Sequence, residues 1–207
     1  MLVLAKAPVQ GRVKTRLCPP CSLQDAARLA EAALRDTLAA VAGTSCARRV
    51  LALDGPIGPW LPAGFEVVPQ CTGGLGERLA GALAIARGPA VVVGMDTPQV
   101  TESDLDGALA RLTAPGCDAV LGPALDGGYW AVGLRRTDPR VFRGVPMSSE
   151  RTYAAQLERL VDLGYRTTVL PPMRDADRFD DAIAVAAAAP ATRFASAVNQ
   201  LATAVAP

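Results

Sequence analysis

Residues 89–124 read PAVVVGMDTPQVTESDLDGALARLTAPGCDAVLGPA. From Pro89 to Gly94 the run is apolar without alternation, the pattern of a strand buried on both faces. Thr101 stands three residues before Asp104, a capping pair that opens a helix over TESDLDGALARLTAPG. CDAVLGPA then reads as a second strand. Strand, helix, strand is the unit from which parallel sheets are built, because the helix supplies the long crossover that parallel pairing needs.

The same alternation extends in both directions. MLVLAKA reads as a short buried strand. SLQDAARLAEAALRDTLAAVAG is an amphipathic helix with Ser22 as N-cap, Asp25 in the capping-box position and Gly43 as its stop. RRVLALD and FEVVPQ read as strands, GGLGERLAGALAIARG as a helix, and GGYWAVGL as a further strand. SSERTYAAQLERLVDLG predicts a helix, YRTTVLPP a strand, and the tail RFDDAIAVAAAAPATRFASAVNQLATAVA one or two helices. The expectation is a single α/β domain over 1–207 with a mostly parallel sheet. Nothing reads as an internal repeat or a low-complexity linker. The apolar C-terminal helix can cover the sheet or build a homodimer.

Composition narrows the chemistry. Half of the 207 residues are hydrophobic, which excludes a disordered chain, and the net charge of +1 argues against an extended nucleic-acid surface. There is no histidine, so His bases, Ser-His-Asp triads and His metal ligands are excluded together. A metal would need carboxylates and would be a hard cation, Mg²⁺ or Mn²⁺. No window is long and apolar enough to span a membrane. The five cysteines are odd in number, and nothing at the start reads as a signal peptide, so a reducing cytoplasm is the expected compartment. Cys18 and Cys21 form a CxxC pair, but they follow a cationic loop rather than a strand, which disfavours a redox or zinc role.

Ligands of open α/β sheets collect at the carboxyl ends of the strands. After the first strand, KAPVQGRVKTRL brings Lys6, Arg12, Lys14 and Arg16 together around Gly11, with no acid among them. That is a phosphate clamp or a solvated basic loop, and neither the Walker A nor the GxGxxG spacing is present. After PAVVV, the sequence GMDTP sets Asp96 at a strand end, where a carboxylate can hold a divalent ion or simply make a turn. In GPALDGGYWAVG, the stretch Asp126-Gly127-Gly128 turns into a strand, and Tyr129 and Trp130 point to opposite faces. In PMRDADRFDD, Asp175 and Asp177 share one face of an extended segment, where they repel unless a cation or proton intervenes. Asp180 and Asp181 suit the start of the next helix.

The phrases AKAPVQGRVKTRL, GGLGERLAGAL, GMDTPQV, GPALDGGYWAVGL and LPPMRDADRFDDA, in that order, resemble the DUF2064 family across nearly the whole chain. Its members are described as GT-A-type glycosyltransferases, some associated with arsenosugar biosynthesis, within the nucleotide-diphospho-sugar transferases. The resemblance implies a GT-A-like sandwich of α/β/α layers. It implies nucleotide binding by Lys6, Gly11, Arg12, Lys14 and Arg16, with Gly74 and Arg78 from GGLGER. It implies a Mg²⁺ or Mn²⁺ held by Asp96 and Asp177; beside it, the residues themselves offer Asp175 as a further metal ligand and Asp126, Gly127, Gly128 and Tyr129 as substrate-binding candidates. The family's DxDT motif reads DADRF here, without the usual Thr-Pro after the second aspartate.

Two reactions suit these parts. A glycosyltransferase would move a sugar from a nucleotide-sugar donor to a small-molecule acceptor, with Asp126 as the acceptor's base. A nucleotidyltransferase would join a nucleoside triphosphate to a phosphorylated small molecule, with Lys14 stabilising charge at the α-phosphate. The first is the leading expectation. A regulatory nucleotide-binding protein without turnover is the third alternative.

Overall fold

In the computed structural model, which describes residues 1–205, the strands are β1 (Leu2–Lys6), β2 (Val50–Asp54), β3 (Glu66–Pro69), β4 (Ala90–Val93), β5 (Ala119–Pro123), β6 (Tyr129–Leu134) and β7 (Thr167–Val169). They form one sheet in the order β3-β2-β1-β4-β6-β5-β7. Every pairing is parallel except those of β6, which runs antiparallel to both β4 and β5. The exception has a local cause. The turn at Asp126–Gly128 is too short for a crossover, so the chain must return beside β5.

The helices are α1 (Leu23–Gly43), α2 (Leu75–Ala84), α3 (Glu102–Thr113), α4 (Thr152–Asp162), α5 (Phe179–Ala188) and α6 (Arg193–Val205). Both expected capping boxes form, Ser22 with Asp25 on α1 and Thr101 with Asp104 on α3. Strand periodicity divides the core. Val91 and Val93 join Leu34 and Leu38 of α1 and Leu105 and Leu112 of α3 on one face. Ala90 and Val92 join Leu79 and Leu83 of α2 and Leu160 of α4 on the other. Burying each such leucine contributes about 1.5–3 kcal/mol, and this two-sided burial explains why β4 reads as an unbroken apolar run. The expected α/β/α layering is therefore present.

Outside α1 lies a third apolar cluster, made with α5 and α6 and centred on the fully buried Phe194. The C-terminal helix thus covers α1 rather than the sheet. Its start is held by Asp36, a buried acid of α1. The Asp36 carboxylate accepts hydrogen bonds from the backbone N–H groups of Arg193 at 3.2 Å and Phe194 at 2.8 Å, and from the Arg193 guanidinium at 3.1 Å. No sequence pattern marked Asp36 as a cap, because its partners lie in a distant helix.

Some elements are shorter than the sequence suggests. The strand expected over YRTTVLPP is only Thr167–Val169, since Pro171 and Pro172 have no N–H to give a ladder. The helix expected from Ser148 begins at Thr152, because Ser148 itself has φ of 57°, which no α-helix accepts. The Cys18 and Cys21 thiols are free, and Cys21 packs in the third cluster, where burial pushes its thiol up and so disfavours the reactive thiolate. No helix among the described residues is long and apolar enough to cross a membrane.

Candidate functional site

β1 pairs with β2 on one side and with β4 on the other. The crevice past their carboxyl ends is a topological switch point, the place where open α/β sheets bind ligands. Here two adjoining chambers open, of about 470 and 410 Å³.

Lys6, Arg12, Lys14, Arg16 and Arg78 line the first chamber. The basic stretch after β1 is therefore gathered around a cavity rather than spread into solvent. The Lys14 backbone is left-handed, with φ of 46°, a conformation uncommon outside glycine. It carries the side chain inward until only 4% is exposed, and the Nζ donates to Asp96 Oδ1 at 2.5 Å and to the Ala176 carbonyl at 2.9 Å. Asp177 Oδ1 lies 3.8 Å from the same nitrogen, and Asp177 Oδ2 accepts from Arg16 at 3.2 Å. Ala176 is clamped from both sides, because its own N–H donates to the Asp96 carbonyl at 2.8 Å. This clamp brings the 173–177 segment against the end of β4, more than seventy residues away in sequence.

Arg78, in the first turn of α2, donates to Asp54 at 3.0 Å and to Gln70 Oε1 at 3.3 Å. Gln70 is in turn fixed by donating to the carbonyls of Ala5 at 2.8 Å and Ala52 at 3.0 Å. Gly74, the N-cap of α2, offers no side-chain cap, so the first amides of that helix stand open at the chamber's edge.

The second chamber shares Asp96, Asp177 and Arg16 with the first and adds Asp126, Gly128, Tyr129, Glu150 and Asp175. Asp126 Oδ1 accepts from the Gly128 N–H at 2.8 Å. Tyr129 faces the chamber and its hydroxyl lies 3.3 Å from Gln156 Oε1, while the indole of Trp130 donates to the Pro171 carbonyl at 3.0 Å. Burial raises the Tyr129 hydroxyl pKa, so it stays protonated at neutral pH. Burial, and then the charges of Asp96, Asp126 and Asp177, push Asp175 up to about 8. Burial and Asp96 also raise Asp177, against Lys14 and Arg16.

Two expected residues are elsewhere. Gly11 has φ of 76° and turns the basic loop, but it does not line either chamber. Gly127 also stands back. A Cβ there would lie 2.1 Å from the Glu150 carbonyl oxygen, so its glycine serves packing against the 148–152 segment. Conversely, the chambers include Gln70, Ser148 and Glu150, and Asp54 holds Arg78 from behind; the sequence singled out none of these for the site. Only Asp54 and Gln70 carried a signal, as polar residues at the end of β2 and just past the end of β3.

Among the described residues, no three Asp, Glu or Cys side chains stand close enough to hold a metal ion as arranged. The donor chemistry nonetheless suits a hard cation. Four carboxylates repel across the junction, and the buried Asp175 Oδ1 has no hydrogen-bond partner.

A family model described as "Uncharacterized protein conserved in bacteria (DUF2064)" matches residues 29–149, more than half of the chain. Among solved structures, a protein of Desulfovibrio desulfuricans G20, provisionally named a nucleotide-diphospho-sugar transferase, superposes with a TM-score of 0.82. Its identity is 24%, over 96% of each chain. Rv0371c of Mycobacterium tuberculosis H37Rv, solved with manganese, gives 0.52 at 20% identity over 89% of this chain and 96% of that one. A CMP:2-keto-3-deoxy-manno-octonic acid synthetase complexed with CTP gives 0.53 at 12% identity over 84% and 90%. Likeness at these identities is likeness of fold, and the expected GT-A-like sandwich is that fold. No curated protein matches the chain.

Proposed function

The chain belongs to the DUF2064 family, and from that premise we propose that it is a transferase acting on a nucleotide-activated donor, with glycosyl transfer to a small acceptor as its reaction. One observation carries the reading. A cation-lined chamber and a carboxylate-lined chamber meet at Asp96, Asp177 and Arg16. A donor of this kind has an anionic half and a reacting half, and the junction is where the bond between them would lie.

In this reading Lys6, Arg12, Arg16 and Arg78 bind the diphosphate, and the open amides of α2 add to its hold. The acceptor hydroxyl attacks the sugar's anomeric carbon as that carbon's bond to the diphosphate oxygen breaks. The hydroxyl proton passes to Asp126, and the diphosphate leaves with the electron pair. Lys14, at the junction, stabilises the charge that develops on the leaving oxygen. Asp96, Asp175 and Asp177 are the residues that would hold Mg²⁺ or Mn²⁺, which when bound would neutralise the departing diphosphate. The solved likenesses to a manganese-bound protein and to a CTP-bound synthetase support nucleotide and metal use.

Nucleotidyl transfer is the second reading, favoured by the number of cations in the first chamber. That chamber suits a triphosphate as well as a diphosphate. A thermal-shift screen separates the two. UDP-, GDP- and dTDP-sugars, and separately the four nucleoside triphosphates, are tested with and without Mg²⁺ or Mn²⁺. A ligand at ~100 times its dissociation constant adds ~2.7 kcal/mol. Stabilisation by a nucleotide-sugar with metal is the expected result. Stabilisation by a triphosphate alone would move the assignment to nucleotidyl transfer, and the absence of any shift would remove the donor site.

A further inference from the structure

The second chamber's charges are incompletely matched, and the mismatch bears on the acceptor. Asp96 is paired with Lys14, Asp177 with Arg16, and Asp181 with Arg174. Asp126, Glu150 and Asp175 line the same chamber without an ion-pair partner among the described residues. Asp126 has committed one oxygen to the Gly128 N–H, and Asp175 has an oxygen with no partner at all. Against these stands Arg178, the one lining cation outside a pair among the described residues. The lining also has apolar groups, Leu4, Leu75, Leu79 and the ring of Tyr129.

A phosphate or carboxylate entering this space would meet the like charges of Asp126 and Glu150 and bring acceptors to a place already rich in them. A hydroxyl or an ammonium brings the hydrogens that these oxygens lack, and a carbon skeleton suits the apolar groups. Resting on the transferase reading above, we propose that the second chamber takes a small polyhydroxylated acceptor, neutral or cationic, and turns away its phosphate esters. The first chamber has five lining cations to the second's two, so anion binding is confined to the donor side. This chemistry favours glycosyl transfer over the nucleotidyl transfer considered above, in which the attacking group is the phosphate of a phosphorylated small molecule.

The test is ligand-observed NMR on the full chain with Mg²⁺, using matched pairs: glycerol with glycerol 3-phosphate, glucose with glucose 6-phosphate, and glucosamine with glucosamine 6-phosphate. Each is titrated with the donor chamber filled by a nucleoside diphosphate and again without it. The expected result is an about tenfold or greater preference for the unphosphorylated member, from like-charge repulsion. Glu150 is exposed at the chamber's lip, so Glu150→Arg should fold normally, which circular dichroism checks first, and should cut that preference to about threefold or less. Glu150→Gln should give an intermediate ratio. Preference for the esters, no binding by any unphosphorylated member, or a ratio that Glu150→Arg leaves unchanged would overturn the proposal. Failure of the donor reading is seen separately. The nucleoside diphosphate would then not bind, whatever the pairs do.

Discussion

Ion pairs at the two ends of the sheet solve opposite problems. At the amino end of β5, Asp118 receives Arg166 at 2.8 Å through Nε and 3.2 Å through Nη2. Each charge has its mate, and the Arg166 guanidinium holds the Asp118 carboxyl down at about 2. At the carboxyl end of β4, one buried lysine serves Asp96 and stands near Asp177, while Asp175 is pushed up to about 8. The first end is electrostatically closed by the chain itself. The second is left short of positive charge inside a concavity, which is the condition in which an added cation or ligand changes most.

Breaking the second end should give the largest effects. Asp96→Asn should abolish the metal-dependent part of nucleotide stabilisation, taking a shift worth ~2.7 kcal/mol at ~100 times the dissociation constant to near zero. Thermal unfolding with and without Mn²⁺ checks it, and an undiminished shift would remove Asp96 from the donor site.

Lys14→Met should cost about 2 kcal/mol in urea unfolding. That is less than a fully buried broken pair would cost, because Asp96 is 45% exposed and water screens it. The double variant Lys14→Met with Asp96→Asn should recover part of the loss. Strict additivity would mean that the two groups do not interact.

Asp175 gives a signed pH effect in metal-free protein. Its folded pKa of about 8 lies above the ordinary carboxyl value of 3.8, so between those values the folded state holds a proton that the unfolded state has lost. Wild-type stability should therefore fall as pH rises from about 4 to about 8. Asp175→Asn should flatten that slope and be the more stable protein at pH 9, by on the order of a few kcal/mol. A parallel pair of pH–stability curves would refute the raised carboxyl.

Arg166→Ala, at the closed end, should have the smallest effect. Asp118 is held low, so its contribution is present above the unfolded carboxyl pKa and disappears as pH falls through about 2. The melting temperatures of variant and wild type should differ slightly at pH 7 and converge in acid.

The legible parts of this molecule were those written locally. The apolar run at Val91–Val93 and the capping pairs at Ser22 and Thr101 are neighbour relations, and they gave the layers of the fold. The same holds for Asp96 and for the cations after β1, because a strand end is a place that sequence can mark. What escaped was relational. Ser148 and Glu150 enter the cleft through a left-handed residue and through contact with Gly127, neither of which leaves a sequence signature. Gly11 and Gly127 looked like ligand-facing glycines because the pattern for close approach to a phosphate and the pattern for a tight turn are the same residue.

The Asp36 clasp bears on how the chain can be edited. Its carboxylate sits inside the protein, 8% exposed, and its hydrogen bonds come from Arg193 and Phe194. Cutting the chain before Arg193 would strip away all of those donors and uncover the seat of Phe194, so α1 would carry both an orphaned acid and a bare apolar stripe. Anyone trimming this protein for crystallisation, or grafting another domain onto its end, should keep everything through the last helix.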